Sequence, residues 1–333
     1  MNSMDVSILI VNWNTRRYLR ECLQSIQDTV KGLEYEVIVV DNASRDGSAD
    51  MVRLEFPQVR LVANAENLGF ARGNNLALSH ASGQYLLVMN PDVVLLESTV
   101  EHLVSFARTR SDAGMLSPKL LNADRTPQSF YGRIPTLSTI FFLYTYFGVL
   151  IDRHLLKGRI MRRERYLDYG DSQEVLSFTD GGAGFCCTLI PRSAVEKVGF
   201  MDERFPVFYN DGDFGMRLFQ MGYRAYILPH AQAVHYGSSS VKQLDLLTYN
   251  QEYVYGLRTF NKKFRGFLNN RVTELTLSLN VPVELVRTLW AILKRKRSPS
   301  SLFEPIVSFW KMLRYHPVNA RPHIFKLPKK PEA

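Results

Sequence analysis

VSILIVNWN, residues 6–14, is a β-branched apolar run that breaks abruptly into polar residues, the pattern of a strand buried on both faces. Outward from it, residues 16–30 place Leu19, Cys22, Leu23 and Ile26 on one face of a helix. A second run of the same kind opens EVIVVDNASRDGSAD (36–50) and ends at Asp41; Ser44 or Asp46 then caps a helix through Met51, Val52 and Leu54. Val59–Ala63 predicts a third strand. NLGFARGNN (67–75) is a glycine-containing turn leading into a helix through Ala81. QYLLVMNPDVVL (84–95) predicts a fourth buried strand, interrupted by Asn90-Pro91-Asp92. Strands alternating with helices predict an α/β fold with a mostly parallel central sheet flanked by helices.

Ligands of such sheets sit outside the carboxyl ends of the strands. Asn12, Asp41 and Asp92 each lie at such an end and can share one crevice. The first strand–helix turn, Asn12-Trp13-Asn14-Thr15, has no glycine, so the G-x-G-x-x-G approach to a dinucleotide pyrophosphate is missing, which argues against hydride transfer. Nucleotidyl transfer is disfavoured too, for want of a basic, glycine-rich phosphate loop after the first strand. Asp41 offers an acceptor-only carboxylate to a base N–H or a ribose hydroxyl, or else caps the next turn. Asp92 follows a stiff Asn-Pro step; it is either a hard oxygen ligand for Mg2+ or Mn2+ on a diphosphate or part of a plain turn.

Composition is that of a globular protein: 46% apolar and 22% charged over 333 residues. The net charge of +9 is uneven, because residues 261–330 hold 15 Lys or Arg against three Glu. That asymmetry points to a polyanionic surface. In the basic tail, Leu302, Ile306, Phe309, Trp310 and Leu313 form an apolar stripe behind Lys294–Arg297. Aromatic residues gathered on one apolar face fit a membrane surface, not nucleic acid, whose readers interleave them as stacking platforms. A helical appendage packed on the main domain is the other reading. Residues 134–151 carry no charge and are followed by Arg153, His154, Lys157, Arg159, Arg162, Arg163 and Arg165, which fits an interfacial segment, a lid or a core helix. Three cysteines, two of them adjacent, predict a reduced, cytosolic chain, and the strand-like run from Val6 leaves no secretory signal.

FPVFYNDGDFGMRL (205–218) sets Asp211 and Asp213 among aromatic residues at a helix start, as caps or as chemistry. Upstream, TDGGAGFCCTLIPRSAVEKVGFMDERF (179–205) carries Asp180 and a glycine cluster that either admits a ligand to the backbone or marks a bulge. Downstream, His235 ends a strand-like run as a structural residue or a ligand.

In this order, VSILIVNWN, VVDNASRDGS, NLGFARGNN, MNPDV, the 181–205 block and FYNDGDFGMRLFQMGY resemble the inverting family 2 glycosyltransferases over roughly residues 5–240, most closely the rhamnosyltransferase-like branch that builds bacterial cell-surface polysaccharides. The resemblance implies a GT-A fold over residues 1–243, with 1–95 binding the nucleotide sugar and 96–243, including an apolar insert at 134–165, facing the acceptor. Residues 244–333 would be a helical basic region at a membrane surface. It implies donor contacts from Asn12, Asp41, Asn67, Gly69, Arg72, Asn90 and Gly182, with Asp41 on a uracil or thymine. It further implies a divalent metal on Asp92, joined by His235, and Asp211 as catalytic base, with Asp180, Asn210 and Asp213 on the acceptor side or supporting. Two positions depart from the family pattern: Asn210 where an acidic residue precedes the base, and Asn90 at the first position of the D-x-D-type motif. The expected activity is sugar transfer, such as rhamnose from dTDP-rhamnose, to a lipid-linked or glycan acceptor at the cytoplasmic face of the plasma membrane. A non-catalytic, membrane-tethered assembly module is the second expectation.

Overall fold

The computed structural model describes residues 4–128, 131–164, 173–237, 243–321 and 325. The chain opens with β1 (Val6–Asn12), α1 (Arg16–Thr29), β2 (Tyr35–Asp41), α2 (Ser48–Glu55), β3 (Arg60–Ala63), α3 (Gly69–Ser79) and β4 (Tyr85–Met89). Then come β5 (Val93–Leu95), α4 (Thr99–Thr109), β6 (Ala113–Leu121) and β7 (Tyr131–Arg133). Three short helices follow: α5 (Leu137–Tyr144), α6 (Tyr146–His154) and α7 (Arg159–Glu164). Next are β8 (Leu176–Phe178), β9 (Gly181–Ala183), β10 (Cys187–Pro191), α8 (Arg192–Val198), α9 (Asn210–Gln220) and β11 (Arg224–His235). The last helices are α10 (Leu246–Ser278), α11 (Asn280–Leu293) and α12 (Glu304–Arg314).

Two compact units form. The first comprises residues 1–133, 169–244 and 319–333; the second, 134–168 and 245–318. In the first unit a sheet runs in the order β3-β2-β1-β4-β10-β6-β11-β5, with β8 added on β11. β1, β2, β3 and β4 are parallel to one another, as their continuous apolar runs predict. Every residue of β1 is buried, and Leu19, Cys22, Leu23 and Ile26 of α1 pack beneath it. Strand order reverses between β1 and β4, the place where open α/β sheets leave a crevice.

Two local outcomes differ from the sequence pattern. The fourth predicted strand is two strands, because the Asn90-Pro91-Asp92 turn takes β5 away from β4 to pair antiparallel with β11 at the far edge. Proline has no N–H and cannot continue a ladder, so the chain changes direction there. Antiparallel β10 fills the place beside β4 instead.

The second unit gathers the apolar insert with the C-terminal helices, not with the rest of residues 96–243. Asn280 at the start of α11 donates to the Tyr144 carbonyl (2.8 Å) and accepts from the Tyr146 amide (2.9 Å), and Tyr253 of α10 donates to the Tyr144 hydroxyl (2.5 Å). The insert is broken at Thr145, whose hydroxyl caps α6 by accepting from Gly148 N (3.0 Å). A side chain at Gly148 would strike the Phe141 carbonyl, so glycine lets α5 and α6 cross there. Residues 319–333 belong to the first unit: Arg321 N donates to the Glu203 carbonyl (2.8 Å) and Phe200 N to that of Phe325 (2.7 Å). Of the residues singled out from sequence, Arg165 and Ser238–Ser240 lie outside the described residues.

Candidate active site

The parallel register of β1 and β2 sets Asn12 directly opposite Asp41, both buried at the carboxyl end of the sheet. Asn12 Nδ2 donates to Asp41 Oδ1 (2.7 Å) and to Ser44 Oγ (3.1 Å), while Thr15 Oγ1 donates to Asn12 Oδ1 (2.6 Å). Ser44 N donates to Asp41 Oδ2 (3.0 Å). Each carboxylate oxygen carries two lone pairs, so Asp41 is held in one orientation and keeps capacity for a further donor. The capping and ligand readings of Asp41 are therefore compatible.

Asp92 and His235 come together although they lie 143 positions apart in the sequence. Val93 pairs with His235 across β5 and β11, and Tyr236 N donates to the Asp92 carbonyl (3.0 Å). That register brings His235 Nε2 to 3.5 Å from Asp92 Oδ1, with both side chains buried. Gln128 fixes the ring from behind. Its Nε2 donates to the His235 carbonyl (2.9 Å) and to Asn122 Oδ1 (3.0 Å), so its Oε1 is the atom facing His235 Nδ1 at 2.7 Å. The network thus places a proton on Nδ1 and turns Nε2 toward Asp92. A carboxylate and an imidazole nitrogen meeting at that distance are a donor set that suits a small divalent cation such as Mn2+. Among the described residues no group of three or more His, Cys, Asp and Glu side chains gathers in this way.

Asp211 and Asp213 both stand in the first turn of α9, and the structure separates their work. Asp213 is fully buried and pairs with Arg217 (2.8 Å), which also donates to the carbonyls of Val198, Gly199 and Phe200. It anchors α9 to the loop after α8. Asp211 stays partly accessible. Its Oδ1 accepts from Gly212 N (2.8 Å), yet burial raises its carboxyl above the ordinary range because desolvation outweighs that bond. Asn210 donates to the Val207 carbonyl (3.0 Å) and accepts from Asp211 N (2.8 Å). A carboxylate could not donate to Val207, so the amide suits this position in the turn.

Asn67, Gly69 and Arg72 join the strand-end side to the loop before α9. Asn67 Oδ1 accepts from Gly69 N (2.9 Å), Gly69 takes φ +76°, and the amides of Phe70 and Ala71 donate to the Pro206 carbonyl. Arg72 lies 3.9 Å from Glu203, and Asn75 binds both Glu203 (3.1 Å) and the Met201 carbonyl (3.0 Å). The amino end of α3 is thus occupied by protein. Asn90 directs its backbone into the sheet, its N–H to the Cys186 carbonyl (2.8 Å). Gly182 pairs with Gly132 in the β7–β9 ribbon, where Asp180 forms an exposed ion pair with Arg133 (2.6 Å). Gln128, Glu203 and Asn75 were not singled out from sequence; of these only Asn75 carries a signal, as the last residue of NLGFARGNN.

The three cysteines are buried and unbridged. Burial pushes the Cys187 thiol up to about 12 and raises Cys22 and Cys186 as well, so none serves as a thiolate nucleophile. The charges of both Asp92 and Asp211 also raise the Cys186 thiol, so each carboxylate lies within electrostatic reach of the start of β10.

The strand-end carboxylates Asp41 and Asp92 and the partly accessible carboxylate of Asp211 are all held by the first unit. Residues 7–199 match the family described as Glycosyl transferase family 2, more than half of the chain, and the protein belongs to that family of glycosyltransferases. An N-acetylglucosaminyl-diphospho-decaprenol L-rhamnosyltransferase of Mycobacterium tuberculosis is 25% identical over 218 residues, 61% of this chain and 67% of that protein. The poly(ribitol-phosphate) beta-N-acetylglucosaminyltransferase TarS of Staphylococcus aureus is 29% identical over 136 residues, 38% of this chain and 23% of TarS. Among solved structures, mannosyltransferase PcManGT from Pyrobaculum calidifontis, in complex with GDP-Man and Mn2+, is similar at a TM-score of 0.52 and 16% identity, covering 94% of this chain and 88% of that one. That likeness establishes the GT-A fold.

Proposed function

We propose that this glycosyltransferase moves a sugar from a nucleoside-diphosphate donor to a hydroxyl of a glycan or lipid-linked acceptor, with inversion, in cell-surface polysaccharide synthesis. One observation carries the reading. Asp211 is an accessible carboxylate made more basic by burial, and it shares the field at Cys186 with Asp92. A general base needs both properties: reach to the acceptor proton, and a pKa moved toward neutrality. In a single displacement the acceptor hydroxyl loses its proton to Asp211 as its oxygen attacks the anomeric carbon, and the nucleoside diphosphate departs from the opposite face. One carboxylate suffices, and Asp213, tied to Arg217, is the support of the helix that presents it.

Asp41, oriented by Asn12 and Ser44, accepts a base N–H of the donor. Asp92 and His235 hold Mg2+ or Mn2+, with Gln128 fixing the orientation of the His235 ring. When bound, the ion neutralises charge developing on the leaving diphosphate. Two protein ligands with diphosphate oxygens completing the shell is the ordinary arrangement for such ions. The names of the rhamnosyltransferase and of the UDP-GlcNAc complex of TarS make dTDP-rhamnose and UDP-sugars the first donors to try.

The test is nucleotide release from dTDP- and UDP-sugars in the presence of Mn2+. Release with one donor, abolished by chelation and restored by metal, is the expected result. Binding of neither dTDP nor UDP in the presence of Mn2+ would sink the reading.

A further inference from the structure

The second unit carries apolar stripes on its solvent side. After its break at Gly266 (φ 82°), α10 exposes Leu268, Val272 and Leu275, with Leu279 just past its end, spaced to fall on one helical face. On α11 the exposed stripe is Val286, Leu289, Trp290 and Leu293, at 67, 46, 57 and 73% exposure, while the buried residue of this helix is Thr288. Phe303, Val307 and Trp310 repeat the pattern into α12, which buries none of its residues. A soluble amphipathic helix turns such a stripe inward. Of the sequence-predicted stripe of Leu302, Ile306, Phe309, Trp310 and Leu313, Trp310 points outward and the other four are half-buried, so the exposed face of α12 keeps only Trp310 of that stripe.

The charge on this face says what covers it. Residues 280–318 hold seven Lys or Arg and two Glu, with Lys294–Arg297 exposed in a row. Exposed aromatics sit under cations: Lys294 Nζ lies 3.7 Å from the Trp290 ring, Arg271 4.8 Å from Phe267 and Arg314 5.9 Å from Trp310. An open cavity of about 420 Å3 beside α12 has the same character, with Ile306, Val307 and Trp310 as walls and Lys311 and Arg314 among its lining. Aromatic rings in the headgroup zone, aliphatic side chains below and cations reaching phosphate are what an anionic bilayer surface selects. A second copy of the chain would set cations against cations, against the depletion of charge in interface cores.

We infer that α10 beyond Gly266, α11 and α12 form an interfacial lipid-binding surface that lies on an anionic bilayer. The stretch Leu246–Leu293 has the length and composition to cross a membrane, with a mean hydropathy of 1.2 in its most apolar window. It is broken at Gly266 and again between α10 and α11, and beyond Gly266 it still carries Arg271, Glu274, Glu284 and Arg287. Lying on the surface fits these breaks and charges; spanning does not. The inference stands apart from the transfer chemistry and can fail or hold without it.

Flotation of the full chain with phosphatidylcholine vesicles, against vesicles of equal parts phosphatidylcholine and phosphatidylglycerol, tests it. Partition should favour the anionic vesicles by about a hundredfold and weaken with salt. K294Q/R295Q/K296Q/R297Q should remove about that preference, and L289S/W290S/L293S should lower partition about tenfold with the melting temperature unchanged. Three results would overturn the inference: equal or absent binding to the two vesicles, full binding by both variants, or a lipid-free dimer that the serine variant makes monomeric.

Discussion

Of the large apolar side chains exposed among the described residues, all but Leu54, Val175 and Met221 belong to the second unit. The first unit does the reverse, enclosing β1 completely and β2 and β4 beyond their first residues, and spending its accessible carboxyl-end surface on polar groups such as Asn14, Ser44 and Asp211. Polar side chains that are buried there are oriented by neighbours: Asp41 by Asn12, His235 by Gln128, Asp213 by Arg217. Buried polar groups need such partners, whereas exposed apolar groups need none to keep a fold. One unit is thus built to hold chemistry still, and the other to present surface. The contrast teaches that the same residue type answers to different pressures within one chain, and it can be broken at defined residues.

The largest effect falls on Asp211. D211N should lower kcat by about a hundred- to ten-thousandfold, the usual contribution of a positioned base, with donor binding kept and circular dichroism unchanged. Because burial raises the Asp211 carboxyl, the acid limb of kcat should lie above the ordinary carboxylate range and vanish in the variant. A limb at the ordinary position would show that burial does not tune this group.

Two residues on, the expected loss is of stability. D213N leaves the Arg217 guanidinium without its buried counter-charge, and the cost should be about 3–5 kcal/mol in a urea titration. If D213N instead abolishes turnover with little loss of stability, the division of labour within α9 is wrong.

A smaller effect of opposite sign belongs to Asp211 again. Its folded-state pKa is raised, so the folded protein resists losing that proton and its contribution to stability falls as pH rises from the ordinary carboxylate value through the raised one. D211N cannot titrate, so at neutral pH it should melt above the wild type, and below the ordinary carboxylate pKa the two should coincide. Thermal scans at the two pH values read this directly.

Sequence reveals one unit far better than the other for the same physical reason. β1, β2 and β4 are written as continuous apolar runs because they are buried on both faces, and the strand-end rule then locates Asn12, Asp41 and Asp92. Three-residue β5 has too little pattern to declare its partner, and its move to β11 is what joins Asp92 to His235. Gln128 is invisible in sequence because its bond to His235 spans 107 residues. The insert gives no sign that Tyr144 will meet Asn280, since an apolar run does not say whether helix, lipid or core receives it. Asn210 looked like a lost carboxylate, and only its donation to Val207 supplies a reason for the amide.

The smallest effect separates apolar residues that fold the second unit from those that do not. Leu257 of α10 is 1% exposed, and L257A should cost about 2–5 kcal/mol through lost burial and the cavity left behind. Leu275 lies on the same helix at 68% exposure, and L275S should stay within about 0.5 kcal/mol in the absence of lipid. Urea midpoints for the two variants therefore test whether the outward stripe contributes to the fold of the free chain. A loss for L275S comparable to that of L257A would mean the stripe is covered by protein in solution, and the contrast between the two units would then be one of assembly, not of exposed surface.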